Sequence, residues 1–501
     1  MYTRGIAYTR RMSTSPGPYS FNRRLAEQAL SRAAGAPLLD GNAVELLVDA
    51  AAHYDAWLAA IRQARQRILL ENYIIRNDEV GQAFRDALVE RAQAGVFVAV
   101  IVDWLGCLGQ SGLSFWAPLR AAGGEVRVFN PPRLGQPLGW ISRDHRKLLV
   151  VDGVHGFLSG VCISAKWLGN PARNVPPWRD TGVALRGPAV TELEAAFAHS
   201  WAGTGNALPP FEPPPQPDSP AGEVSLRLIA TQPATAGMYR LDQLIASMAR
   251  RTLWLTDAYF VGLAPYVQAL VAAARDGVDV RLLVPGSSDN PVVAGMSRSG
   301  YRPLLKAGVR IFEWNGSMLH AKTAVADGQW ARVGSSNLNI ASWLGNQELD
   351  VAVEDAGFAG QLAAQYETDL CNATEIVLAT RRRGNGRSER VRSSMARPKR
   401  GHRGSGSSSR AAAGALRIAN SVGAALTNRR VLGDTRTGPL LAGIVILAAL
   451  AVMAFLRPVW ISWPLGAVAG WFAFNLGIRC VQLLKARRHQ SRDTGKRGPG
   501  S

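Results

Sequence analysis

Cysteine is scarce in this chain. Four in 501 residues, Cys107, Cys162, Cys371 and Cys480, form no C-x-x-C pair and no dense cluster. That excludes a disulfide scaffold or a thiolate zinc module and fits free thiols in a reducing compartment. No apolar run near the start resembles a secretory signal; residues 1–25 are rich in Arg, Ser and Pro instead. Most of the chain also lacks an excess of positive charge. The net charge is +20, from 57 Lys/Arg against 37 Asp/Glu, yet 23 of the bases and three of the acids lie beyond residue 380, leaving residues 1–380 balanced at 34 against 34. The broad basic face of a nucleic-acid-binding domain is therefore not expected there, although a local basic cleft is compatible with the balance.

What the chain does have, twice, is one polar pattern, H-x-K-x-x-x-x-D. His145, Lys147 and Asp152 form the first copy, and His320, Lys322 and Asp327 form the second, 175 residues on (320 − 145). Each copy runs into an apolar strand and then a Gly/Ser turn, Ser159-Gly160 and Gly334-Ser335-Ser336. Side chains two apart on a strand share a face, so each histidine stands beside its lysine. The lysine offers charge and donors to a phosphate oxygen. The imidazole can attack phosphorus or move a proton near neutral pH. With two copies, one histidine attacks while the other protonates the leaving alkoxide, and either fits either role. The lysines meet the phosphate charge, so no metal or other cofactor is needed.

These paired motifs resemble those of the phospholipase D superfamily. The second copy is similar in detail, through Gly334-Ser335-Ser336-Asn337-Leu338-Asn339 and Asn346-Gln347-Glu348. More narrowly, residues 40–375 look like bacterial cardiolipin synthases of the short type, with Glu71-Asn72-Tyr73-Ile74, Arg143 to Lys147 and Asp257-Ala258-Tyr259-Phe260 in support. The resemblance implies that Ser335 and Asn337 help hold the phosphate. It implies that Glu348 hydrogen-bonds the His320 imidazole and that an acid near residue 180 faces the first histidine. Asp180 is that candidate, with surface pairing to Arg179 as the alternative. Asp152 and Asp327 belong to the motif and are expected to pin their strands and loops. Cys162 stands where the family has Asn, and Asn339 where it usually has Asp.

The rest of the chain supports an α/β fold of two similar α/β/α lobes around mixed β-sheets. In the first half, helical periodicity covers 46–64 and 81–94, and apolar strands cover 68–75, 96–103 and 126–129. Asp103, at a strand end, is either functional or a turn acceptor. A Pro/Gly-rich loop, 131–139, leads to the first motif. The second half repeats the plan, with strands at 224–229, 251–256, 278–284 and 309–312 and helices at 239–249 and 263–274. Tyr259 and Phe260 read as core rather than site, and 285–300 as a surface loop or a lipid entrance. The expected organisation is a disordered start (1–40), a first lobe (41–203), a Pro-rich linker (204–222) and a second lobe (223–380). A basic disordered stretch (381–437), two transmembrane helices (438–480) and a basic tail (481–501) follow.

The C-terminal quarter decides where the chain works. Residues 440–456 are apolar throughout and 459–478 carry no charge, each close to the roughly 20 residues that span a bilayer. Arg457-Pro458 breaks them, and Trp460, Trp463 and Trp471 fit interfacial anchors. Arg and Lys flank both outer ends, so both are cytoplasmic and the pair is a transmembrane or re-entrant hairpin. The polybasic run suits anionic headgroups. The expectation is an enzyme of the bacterial inner membrane with cytoplasmic lobes and phospholipid substrates, phosphatidylglycerol among them, and no nucleic-acid partner. Hydrolysis of phospholipids, cleavage of nucleic acid and a non-catalytic scaffold are the alternatives. Oligomeric state is not encoded in any of these features.

Overall fold

A computed structural model describes residues 21–132, 141–211, 220–378 and 429–432. A helix α1 (Phe21–Ala34) precedes the first lobe. That lobe runs β1 (Leu39–Val48), α2 (Asp49–Gln63), β2 (Arg67–Asn72), α3 (Glu79–Gln93), β3 (Phe97–Asp103), α4 (Leu113–Ala121), β4 (Glu125–Phe129), β5 (Lys147–Val151), β6 (His155–Ser159), β7 (Thr181–Arg186) and α5 (Ala189–Thr204). The second runs β8 (Val224–Thr231), α6 (Gly237–Met248), β9 (Thr252–Thr256), α7 (Ala264–Arg275), β10 (Asp279–Pro285), α8 (Pro291–Ser299), α9 (Tyr301–Ala307), β11 (Arg310–Trp314), β12 (Thr323–Ala326), β13 (Trp330–Gly334), β14 (Glu348–Val353), α10 (Ala356–Leu370) and β15 (Ala373–Leu378).

The same sheet is built twice. Outward from β1 the order is β1-β7-β6-β5-β2-β3-β4, and outward from β8 it is β8-β14-β13-β12-β9-β10-β11, followed by β15 and β16 (Arg429–Leu432). In each lobe three parallel strands, β2-β3-β4 and β9-β10-β11, adjoin antiparallel ones, so the sheet is mixed. β1 and β8 pair antiparallel and join the lobes into one 16-stranded sheet.

The apolar strands form because both faces are covered by helices, which makes them continuous hydrophobic runs. Alternate residues enter different cores. In β2 and β3, Ile68, Leu70, Val98 and Val100 meet α2, α3 and α4. Their neighbours Leu69, Ala99 and Ile101 enter a central core with α5 and α10, to which Val325, Val333 and Val351 of the second lobe also contribute. A third core lies under α6, α7 and α9. The shared central core fixes the lobes against each other and holds the site between them.

Several expectations need correction. Residues 21–34 are helical, and Leu30, Ala34 and Ala36 enter the core of the second lobe. Arg240 Nε donates to the Ala33 carbonyl at 3.1 Å. This order comes from long-range packing that a weakly patterned Arg/Ser-rich stretch does not announce. Residues 46–48 end the strand β1, not a helix, because they pair with residues 181–183 of the distant β7. Within 285–300 lies the helix α8, so this is not simply a loop. Residues 429–432, expected within a disordered stretch, pair parallel with β15, whose free edge accepts another strand. The remaining residues of 381–437, the hairpin (438–480) and the tail lie outside the described residues. Among the described residues, no helix is long and apolar enough to cross a membrane.

Candidate active site

The two histidines arrive where the lobes meet. His145 precedes β5 by two residues and His320 precedes β12 by three, and each is held by a backbone bridge to the opposite lobe. His145 N donates to Gln347 O at 2.9 Å and Gln347 N to Arg143 O at 2.8 Å. In the same way, His320 N donates to Arg179 O at 2.7 Å and Arg179 N to Met318 O at 2.9 Å. Each motif is thus laid beside the acid-bearing segment of the other lobe.

That pairing crosses the acids over. His145 Nδ1 lies 2.9 Å from Glu348 Oε2, and His320 Nδ1 lies 2.7 Å from Asp180 Oδ2. The expected partnership of Glu348 with His320, and of Asp180 with His145, is therefore reversed. The reason is the inter-lobe bridges: residue 348 follows the segment paired to 145, and residue 180 follows the segment paired to 319. Arg179 does not pair with Asp180's carboxylate but with Asp369 at 2.8 Å and Asp49 at 3.3 Å.

Both acids are wholly buried and anchored. Asp180 also accepts from Trp167 Nε1 at 3.0 Å and from Thr181 N at 2.9 Å. A Cβ on Gly160 would come within 2.1 Å of Asp180 Oδ1, so only glycine admits the carboxylate there. Ser335 occupies the matching place in the second lobe (160 − 145 = 335 − 320) and donates to Glu348 at 2.6 Å. Its oxygen also accepts from Leu349 N at 2.9 Å. This corrects the expectation that Ser335 holds phosphate: its hydroxyl is committed to the acid. Arg146, one step off the His-Lys face, is buried and donates to the Glu348 carbonyl at 3.2 Å and to Ser200 Oγ at 2.9 Å, tying β14 to α5.

Burial sets the protonation. It pushes Asp180 up, but His320, Lys322 and the Trp167 indole outweigh it and hold the carboxyl well below its usual range. For Glu348, burial raises while His145, Lys147 and Ser335 lower, and the net is down. Desolvation, then Lys322, depresses His320 to about 4 against the pull of Asp180. His145 is lowered by burial and Lys147, opposed by Glu348. At neutral pH the rings are neutral and the acids ionised, so Nδ1–H donates to the carboxylate and Nε2 keeps its lone pair.

The lysines stand close by. Lys147 Nζ donates to the His145 carbonyl at 2.5 Å, and Lys322 Nζ donates to the His320 carbonyl and lies 3.0 Å from Nδ1. Burial lowers Lys322 to about 8. Asp152 and Asp327 lie at the other ends of these strands. Each adopts a left-handed conformation, φ +54° and +53°, before a glycine. Asp152 accepts from the amides of Arg65, Gln66 and Arg67, and Asp327 from those of Arg250, Arg251 and Thr252. They brace hairpins and do not approach the histidines.

Both histidines line one cavity of about 670 Å³, within the usual range for ligand sites. Cys162 and Asn337 also line it, each 17 residues after its histidine (162 − 145 and 337 − 320). Burial raises the Cys162 thiol, and Asn337 Oδ1 is buried without a hydrogen-bond partner among the described residues. Sequence reasoning missed the aromatic walls. Tyr73 lies edge-on to His145 at 5.0 Å, and Trp167 and Trp178 lie 5.5 and 5.7 Å from His320. Tyr259, read as core, lines the cavity 6.0 Å from His320; Phe260 is in the core. Asp103 is a structural acceptor for the amides of Leu105, Gly106 and Asp144 and pairs with Arg143. Among the described residues, no group of three or more His, Cys, Asp or Glu is arranged to hold a metal ion.

Comparison with known proteins places the chain among relatives. Residues 241–370 match the family described as "Cardiolipin synthase, PLD-like domain". A protein of Pseudomonas aeruginosa strain LESB58, "Cardiolipin synthase A", is 35% identical over 71% of this chain and 72% of its own length. The one from Pseudomonas putida strain W619 is 34% identical over 70% and 73%. The crystal structure of a phosphatidylserine synthase from Haemophilus influenzae Rd KW20 shares the fold, with TM-score 0.51 and 14% identity over 70% of this chain and 91% of that one.

Proposed function

The chain belongs to the cardiolipin synthase family of phospholipase D-like phosphatidyltransferases, and we propose that it transfers a phosphatidyl group onto phosphatidylglycerol through a phosphohistidine. The observation that carries this reading is that two imidazoles, each with a buried carboxylate on Nδ1, open onto one cavity.

Written with His145 as the attacking ring, its Nε2 bonds to the donor phosphorus. The phosphorus–oxygen bond to the headgroup alcohol breaks, and His320, which takes a proton from solvent onto Nε2 as the phosphodiester binds, gives that proton to the departing oxygen. The arriving phosphodiester anion raises the proton affinity of the second imidazole, which is what an acid needs. Glu348 and Asp180 hold the rings in the working tautomer and stabilise the imidazolium. Lys147 and Lys322 stabilise the extra charge on the five-coordinate transition state. In the second half, a hydroxyl of the acceptor loses its proton to His320 and its oxygen bonds to phosphorus. The nitrogen–phosphorus bond then breaks. With phosphatidylglycerol as donor and acceptor, the products are cardiolipin and glycerol; with water the same steps give hydrolysis. No metal enters any of these steps.

The cavity mouth favours lipid. Val292 and Met296 of α8 are 72% and 53% exposed and Ile340 is 54% exposed, and Met296 and Ile340 line the cavity. Apolar side chains left in water around a polar pocket suit acyl chains. In this reading the apolar segments 440–456 and 459–478 anchor the enzyme in the bacterial inner membrane with its lobes on the cytoplasmic leaflet.

The test uses the full chain with phosphatidylglycerol vesicles without added metal, analysed by thin-layer chromatography and mass spectrometry. Cardiolipin should form, and an acid-quenched peptide should carry phosphatidyl on a histidine. His145→Ala and His320→Ala should each lower transfer at least about 10³-fold with the fold retained. Full activity in either variant, or cleavage of DNA in place of lipid, overturns the reading.

A further inference from the structure

The histidines and lysines deal with one phosphate, the reacting one. An acceptor phospholipid brings a second phosphate that takes no part in bond making. One glycerol bridge separates the two phosphorus atoms in the product, so the second group must lie in the same cavity as the first.

The cavity wall holds cations that the transfer steps leave unused. Arg143 is already matched, by Asp103 at 3.2 Å. Arg76 is not. It lines the cavity, its Nε is buried without a hydrogen-bond partner, and no carboxylate pairs with it among the described residues. Its backbone is fixed: Arg76 N donates to Ile163 O at 3.0 Å. Its carbonyl lies so close to α3 that a Cβ on Gly81 would sit 1.7 Å away. The side chain therefore springs from a fixed stretch of backbone. Lys166 shares this wall, with Nζ 4.2 Å above the Trp178 ring and 3.8 Å from Asp289 Oδ2. Asp289 is itself engaged by the Tyr259 hydroxyl at 2.6 Å. Burial and the nearby Arg76 both disfavour the charge on Lys166, only partly offset by Asp289. Two cations thus stand on one wall with a single carboxylate beside Lys166 and none paired with Arg76 among the described residues, and an anion completes the set.

We propose that Arg76, with Lys166 beside it, binds the phosphodiester of the acceptor phospholipid and so selects a phosphatidyl alcohol over water or a small neutral alcohol. The inference rests on the transferase reading above. A guanidinium fork matches two phosphate oxygens. Binding a part of the substrate that does not react holds the acceptor hydroxyl in line with phosphorus.

Competition between acceptors tests this. Full-length enzyme acts on labelled phosphatidylglycerol in phosphatidylcholine vesicles with ethanol present. Cardiolipin, phosphatidylethanol and phosphatidic acid are then quantified. All three arise from one phosphatidyl-enzyme, so their ratio reports the acceptor step alone. Arg76→Gln should lower the ratio of cardiolipin to phosphatidylethanol by about tenfold or more, as expected for a lost charge-assisted contact. Lys166→Gln should lower it less, and Arg76→Lys should recover much of it. A ratio within twofold of wild type in Arg76→Gln overturns the proposal, as does an equal fall in every product. If the wild-type enzyme forms none of the three, it is the transferase reading that fails.

Discussion

Asp180→Asn isolates the role of the crossed acid. The carboxylate is fully buried and serves three donors, His320 Nδ1, Trp167 Nε1 and Thr181 N, at 2.7, 3.0 and 2.9 Å. The amide is nearly isosteric, but one of its two heads donates. It cannot swing aside, because Gly160 leaves space only for what is there. If the NH₂ faces His320, the imidazole must accept at Nδ1 and carry its proton on Nε2, where neither attack nor proton abstraction is possible. The Trp167 N–H is then also unpaired. Loss of a charge-assisted bond is worth about 1.5–3 kcal/mol, roughly 10- to 150-fold in rate. The wrong tautomer takes the loss toward about 10⁴-fold, as it does in a serine protease triad. We expect kcat for phosphatidyl transfer to fall by about 10²–10⁴. The Trp167 donor left without an acceptor should lower stability by about 1–3 kcal/mol. Nitrogen-15 NMR should show His320, and not His145, change tautomer. Activity within threefold of wild type, or a change confined to His145, would refute the reasoning.

Glu348→Gln should mirror this on His145, with Ser335→Ala a milder version, read by the same two measurements. Because Lys322 is depressed to about 8, its charge is present below that pH and lost above it. kcat/KM should therefore decline on the alkaline side with an apparent value near 8, and Lys322→Arg should move that limb upward while the acid side stays. In the free enzyme His320, at about 4, is neutral at neutral pH and gains its proton only once the phosphodiester is bound, so a His320 ring titrating near 6.5 by nitrogen-15 NMR without substrate would contradict the assigned environment. Asp327→Ala removes the acceptor of three backbone amides at a left-handed turn and should lower stability by about 1–3 kcal/mol. Denaturant melts should show that loss, with activity per folded molecule little changed.

Much of the site was legible because it is local. A histidine two residues before a lysine and seven before an aspartate fixes which side chains share a strand face, and a second copy fixes that there are two half-sites. Runs such as Leu148 to Val151 announce buried strands for the same reason. Asp180 and Glu348 were found as residues, but their partners were exchanged. Ser335 was expected at the phosphate and instead holds Glu348. Trp167, Trp178 and Arg76 gave no sign in their own segments of belonging to the cavity, and Tyr73 was legible only as part of a stretch that supports the family resemblance.

The sequence by itself determined the chemical groups and their local spacing, since an alternating strand or a helical turn translates short intervals directly into shared faces. Only the tertiary structure decided which lobe's acid serves which histidine, how β1 and β8 fuse two sheets, and which unpaired cation looks into the cavity. Those outcomes depend on segments more than 100 residues apart meeting across a common apolar core, and no periodicity within either segment encodes its distant partner.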